Sequence, residues 1–165
     1  MNANAFRHLY GYHFAEDRKI WDCVAQLSHE QFMQPSGYSR GSVRDQIVHL
    51  IDADEVWFSE LRGVEPSNRF LRPAATTREA IRAHWDSVEQ MMRGYLAELR
   101  DDMLFAKPIK DPEEDKDLIL WQVLLHVVNH GTDHRAQTLR LLNDLGVETK
   151  SQDYIFHVYD NLLMG

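Results

Sequence analysis

Apolar residues recur at helical spacing in four long stretches of this chain, separated by polar segments rich in proline, glycine and acids. In the first stretch Phe6, Leu9, Ile20, Val24 and Leu27 share one stripe, which predicts a helix from about Asn4 to Leu27. Ser28 to Arg40 contains Pro35, Ser36 and Gly37 and reads as a loop. A second helix is expected from about Ser42 to Arg62, with Ser42 as N-cap and Asp45 facing the positive helix end. Gly63 stops it and Pro66 follows. After a polar crossing, Thr76 with Glu79 forms a capping-box signature. It opens a third helix to about Arg100, with Ile81, Trp85, Val88, Met92, Tyr95 and Leu99 inward. Met103 to Asp117 holds two prolines and five acids and reads as a loop, with short extended pieces such as Met103 to Ala106. A fourth helix is expected from about Leu118 to Leu145, with Gly146 at the position after the cap. The tail, Val147 to Gly165, carries Tyr154, Ile155, Phe156, Val158 and Tyr159. That is too apolar for a free tail, so it is expected to pack on the other helices as a short helix.

Four amphipathic helices predict an all-α four-helix bundle. Each connection is about a dozen residues, long enough for a crossover, so an up-down-up-down order is not forced. At 165 residues the chain suits one domain, 1–165, around one core. Twenty-six acids against 18 bases give a net charge of −8, which disfavours non-specific nucleic-acid binding. Cys23 is the one cysteine, so neither an intramolecular disulfide nor a cysteine-based zinc site can form. It is expected to be a small buried residue, because no activating partner can be named. No apolar run spans about 18 residues, and the opening MNANAFRHLYGYHF lacks the basic and apolar regions of a secretory leader. The expectation is a cytoplasmic protein with no membrane and no nucleic-acid partner.

Polar residues on the apolar faces carry the chemistry. On the fourth helix Leu120, Val123, Leu124, Val127, Leu141 and Leu145 form the stripe, and His130 and His134 fall inside it. Residues four apart lie one above the other, so these two imidazoles can hold one metal ion. His126 falls toward the polar edge with Gln122, Asp133, Gln137 and Asp144. On the second helix His49 lies on a flank with Ala53 and Val56, while Asp54 lies within the stripe. On the first helix His13 and Asp17 lie within the stripe, four apart. A buried ionised carboxylate is costly unless paired, so these groups point to a common polar pocket in the core. A three-imidazole site plus water would suit zinc, nickel or ferrous iron. Periodicity leaves the third histidine open among His49, His13 and His84. Asp17 and Asp54 read either as groups orienting the ligands or as a salt bridge between helices. The four tryptophans read as core, Arg135 as a surface ion pair or an anion-binding group, and the acids from Asp111 to Asp117 as a solvated loop.

Two stretches resemble the DinB-like (DinB/YfiT-like metal-dependent) family. One is VRDQIVHLIDADEVWFSELRG, and the other is LWQVLLHVVNHGTDHRAQTLRLLNDLG followed by SQDYIF. HVVNHGTDHRAQ resembles the family's HxxxHxxxHRGQ block, with Ala136 where that block often has glycine. The resemblance implies a dimeric four-helix bundle with a long crossover. It also implies a divalent metal site made by His49, His130 and His134, with His126 outside the ligand set.

The resemblance further implies chemistry on a low-molecular-weight thiol and a small electrophile, by a metal-dependent S-transferase. A hydrolase using metal-activated water is the variant. The alternative is a non-catalytic, stress-associated metal-binding dimer. No general base is assigned, though Asp17, His13 and Asp54 are candidates if they face the metal.

Overall fold

The computed structural model of the protein describes residues 1–67, 77–110 and 113–162. All regular structure among them is helical: α1 Ala3–Val24, α2 His29–Met33, α3 Val43–Arg62, α4 Arg78–Ala97, α5 Leu120–Asp144 and α6 Tyr154–Leu162. The elements start where the sequence offers caps. The Asn2 side chain accepts from the Ala5 N–H, and Ser42 Oγ accepts from the Asp45 N–H at 3.1 Å. At the far end of α3, Gly63 adopts a left-handed φ of 66°, which the absent Cβ makes cheap.

The differences from the expected boundaries have local causes. α1 ends at Val24 because Gln26 and Leu27 close tight turns onto Cys23 O and Val24 O, yet Leu27 stays buried. The segment read as a loop contains α2, started by a reciprocal capping box between Ser28 and Gln31. This one turn sets Phe32 into the core, where the Arg78 guanidinium covers its ring at 4.6 Å. α4 is capped by Thr77, whose hydroxyl accepts from the Ala80 N–H at 3.2 Å. Thr76 of the predicted capping box lies outside the described residues. The stretch expected to be extended at Met103 to Ala106 instead follows a 3-10 turn at Asp101–Met103. Its carbonyls are used up: Ala106 O and Leu104 O accept from the Leu120 and Trp121 N–H groups, two of the otherwise unpaired donors opening α5.

The four long helices form a closed ring. α1 packs on α4 and α5, and α3 packs on the same two helices. The connections from α1 to α3 and from α4 to α5 therefore run between helices that are not the main packing partners. The core between them is built from the predicted stripes, including Phe6, Ile20, Ile47, Ile51, Phe58, Ile81, Trp85, Leu124 and Val127. Trp21, Trp57 and Trp121 are half-buried against it. The tail forms a helix as expected, and Tyr154 and His157 touch Tyr12 and His8 of α1. It does not bury itself: Ile155, Phe156, Tyr159 and Leu162 are 46%, 50%, 52% and 72% exposed. No described helix is long and apolar enough to cross a membrane.

Candidate metal centre

The inward polar residues do not meet in one pocket. They sort into two clusters, each with three possible metal ligands: His49, His130 and His134 in one, and His13, Asp17 and Asp54 in the other. The pairing of ring nitrogens tells the two apart.

In the first cluster, α3 contributes His49 and α5 contributes His130 and His134 from successive turns. One nitrogen from each of the three rings lies within 4.8 Å of the others, and the Nε2 atoms of His49 and His130 are 3.2 Å apart. A tetrahedral ion with bonds of about 2.0–2.1 Å would space its nitrogens roughly 3.3 Å apart, so the triad is close to the required size. His134 is buried, while His49 and His130 are partly buried. Burial holds His49 at a pKa of about 4, helped by the Arg40 charge and then by His134 and His130. Burial and the neighbouring imidazoles His134 and His126 hold His130 at about 4 as well. Burial lowers His134 too. At neutral pH the rings thus keep the lone pairs that a metal needs.

His134 is also held in one tautomer. Its Nδ1 lies 3.2 Å from Gln46 Oε1, an acceptor only, so the ring proton sits on Nδ1 and Nε2 is left with its lone pair. The relay continues in a consistent sense. Gln46 Nε2 donates to Gln137 Oε1 at 3.2 Å, and Gln137 Nε2 donates to Asp133 Oδ2 at 2.9 Å. Gln46 is fully buried, so its amide has few other arrangements.

The second cluster has the opposite logic. His13 Nδ1 faces the Arg135 Nη1 donor at 3.1 Å, so Nδ1 accepts and the ring proton sits on Nε2. That N–H donates to Asp54 Oδ2 at 3.2 Å, and Asp17 Oδ2 lies at the same distance. A nitrogen already carrying a proton has no lone pair for a metal. Arg135, expected at the surface, is fully buried and pairs with Asp17 at 2.9 Å. Its Nε donates to Gln152 Oε1 at 3.1 Å, which ties the segment before α6 into the core. Asp54 Oδ1 is buried and has no hydrogen-bond partner among the described residues, and burial, partly offset by His13, raises its pKa. This is a buried hydrogen-bond network around the Arg135–Asp17 ion pair, and Asp17, His13 and Asp54 group apart from the imidazole triad, so they do not meet the condition of facing the metal that made them candidate bases.

The remaining expectations resolve in the same way. His84 pairs with Glu55 at 2.7 Å, far from the role of third ligand. His126 is exposed and packs edge-on against Trp57 at 5.1 Å. Cys23 is partly buried, and burial raises its pKa, which weakens it as a nucleophile. The sequence reading missed two residues at the triad, Gln46 and Arg40. Gln46 lies one turn before His49 on the same helix, so its spacing was a usable signal; nothing in the sequence placed loop residue Arg40.

The family model described as "DinB family" matches residues 1–160. The chain is similar to "Protein DinB" of Bacillus subtilis (strain 168), 24% identical over 172 residues, covering 96% of each chain. A match over nearly the whole length, on an all-helical fold with three imidazoles converging between α3 and α5, means that the chain belongs to the DinB family.

Proposed function

We propose that the protein is a metal-dependent transferase. His49, His130 and His134 would hold one divalent ion, zinc, nickel or iron, for reaction of a low-molecular-weight thiol with a small electrophile. The observation that carries this reading is the convergence of three ring nitrogens, with His134 fixed by Gln46 so that its Nε2 is the free atom. An ion held by His49, His130 and His134 would lower the pKa of a thiol, or of water in the hydrolase variant, and so would supply a nucleophile near neutral pH. The thiol proton goes to solvent, sulfur bonds to the electrophilic carbon, and the leaving group departs with its electron pair. The chain itself keeps the imidazoles neutral, fixes the His134 tautomer and leaves His49 and His130 partly open to solvent. The resemblance to dimeric family members and the exposed apolar side chains of α6 support a homodimer.

The alternative is a non-catalytic metal-binding bundle, supported by limited access to the triad: His134 is buried and the Arg40 guanidinium lies over His49. Two measurements separate these readings. Elemental analysis of protein purified without chelator or a nickel column should give about one zinc, nickel or iron per chain, and His130→Ala should abolish it while helical content is kept. His126→Ala should keep it, and equal loss from both variants would sink the ligand assignment. Chelator-sensitive turnover of a thiol with a model electrophile then supports the enzyme over the alternative.

A further inference from the structure

Arg40 sits in an unusual place for a cation. Its Nη2 donates to His49 Nε2 at 3.0 Å, the same atom that faces His130 Nε2 at 3.2 Å. The guanidinium and a metal ion would therefore compete for one lone pair, and their charges repel. Among the described residues no carboxylate forms an ion pair with Arg40. The loop that carries it is pinned on both sides. Ser36 N–H donates to Gly41 O at 2.9 Å, and Gly41 N–H donates to Tyr38 O at 3.2 Å. Ser39 and Gly41 adopt left-handed φ values of 52° and 105°, and the Ser39 hydroxyl bonds to Gln137 of α5. The backbone at Arg40 is thus anchored beside the triad, while its side chain is exposed and, among the described residues, held there by its contact with His49.

Resting on the metal-centre reading above, we propose that Arg40 is the anion-binding arm of the site. With an ion held by the triad, the guanidinium leaves His49, stays tethered at the mouth and pairs with a carboxylate on the substrate thiol. The chemistry fits an arginine. Its planar fork matches a carboxylate with two parallel hydrogen bonds, and it keeps its charge at any working pH. The overall charge of −8 works against an anionic substrate, so a local cation is needed for one to dock. The same arm explains why a guanidinium lies over His49 without making the site a closed one.

The test uses the full chain loaded with cobalt(II), as wild type, Arg40→Gln and Arg40→Lys. Each is titrated with 3-mercaptopropionate and with 3-mercaptopropan-1-ol, read by the sulfur-to-cobalt absorption band. The preference of wild type for the carboxylate thiol should exceed that of Arg40→Gln by roughly ten- to a hundredfold, the worth of a hydrogen bond to a charged group. Direct chelation by the carboxylate is common to both proteins and cancels in that ratio. Arg40→Lys keeps the charge but not the fork and should fall between. Arg40→Gln should bind cobalt as tightly as wild type or more tightly, since the competing donor is gone. An unchanged preference in Arg40→Gln, or a loss of cobalt affinity there, overturns the proposal while leaving the metal centre standing. Failure of the wild type to take up cobalt overturns the metal centre itself, and this proposal with it.

Discussion

Gly131 is the position where the fold and the candidate site constrain each other most tightly. It lies between His130 and His134 on α5, and His13 of α1 packs directly on it. A Cβ built there would meet His13 Cε1 at 2.5 Å, His13 Nδ1 at 2.9 Å and Arg135 Nη1 at 2.9 Å. The closest approach is about 1 Å short of ordinary van der Waals contact. The His13 ring cannot simply retreat, because it is fully buried and held by Asp17, Asp54 and Arg135. Gly131→Ala therefore overpacks the core, at about 1–3 kcal/mol. It also breaks or stretches a hydrogen bond to a charged group, at about 1.5–3 kcal/mol. The helix-propensity gain of alanine returns only about 1 kcal/mol. The net expectation is a loss of roughly 2–4 kcal/mol, or about 5–15 °C in Tm for a chain of this size. Gly94 of α4 is the control, exposed and with nothing within 4 Å of its added Cβ. Gly94→Ala should gain up to about 1 kcal/mol. Urea denaturation of both variants measures the two signs in one experiment. If Gly131→Ala proves as stable as wild type, the His13 ring is not clamped and the reasoning fails.

Three further outcomes follow from named contacts. Gln46→Leu removes the acceptor for His134 Nδ1 and should weaken metal affinity about 10–100-fold without changing helical content; a competition titration giving wild-type affinity would refute the tautomer assignment. Arg135→Met leaves Asp17 buried without its partner and should cost about 3–5 kcal/mol in urea denaturation; a loss under about 1 kcal/mol would mean that the network is compensated elsewhere. In the metal-free protein His49 and His130 titrate near 4, against 6.5 for an unperturbed histidine. The unfolded chain therefore takes up protons on these rings first. Stability contributed by the neutral rings is present above about pH 6.5 and is drawn down as pH falls toward 4. The Tm of His130→Ala should decline less steeply over that window, and parallel slopes would count against the depressed values.

Much of this was legible in the sequence because helical periodicity reports directly on burial. The stripes of all four long helices and the position of His126 off the apolar face follow from a 3.6-residue repeat, and the Ser42 cap and Gly63 stop from capping chemistry. His49 on the flank of its stripe was legible too, and the structure finds it partly buried at the edge of the core. What periodicity cannot report is which nitrogen of a buried ring is free, or which helices face one another. His13 and His134 look alike on a helical wheel, and both sit on apolar faces. The α1–α5 packing that brings Arg135 onto His13, and the α3–α5 packing that brings Gln46 onto His134, are tertiary facts. α2 escaped notice because five residues are too few for a repeat, and its capping box was hidden in a segment dominated by Pro35 and Gly37.

The two clusters show how one residue type is divided between holding the fold and offering chemistry. Both use histidine at contacts made by α5; the inner cluster is buried, and the outer one is partly open at His49 and His130. In the inner cluster the donor Arg135 takes the Nδ1 lone pair, so the Nε2 proton is spent on Asp54. In the outer cluster the acceptor Gln46 takes the Nδ1 proton, so the Nε2 lone pair remains. A single choice of partner, guanidinium or amide oxygen, thus decides whether the imidazole can bind a metal. The same rule makes Arg40 informative. A guanidinium on the ligating nitrogen of His49 is the arrangement that silences His13, except that Arg40 is exposed and reaches its partner from a surface loop. Arg135 is locked in place by burial and by Asp17, whereas Arg40 has no such lock and can yield its place to an ion.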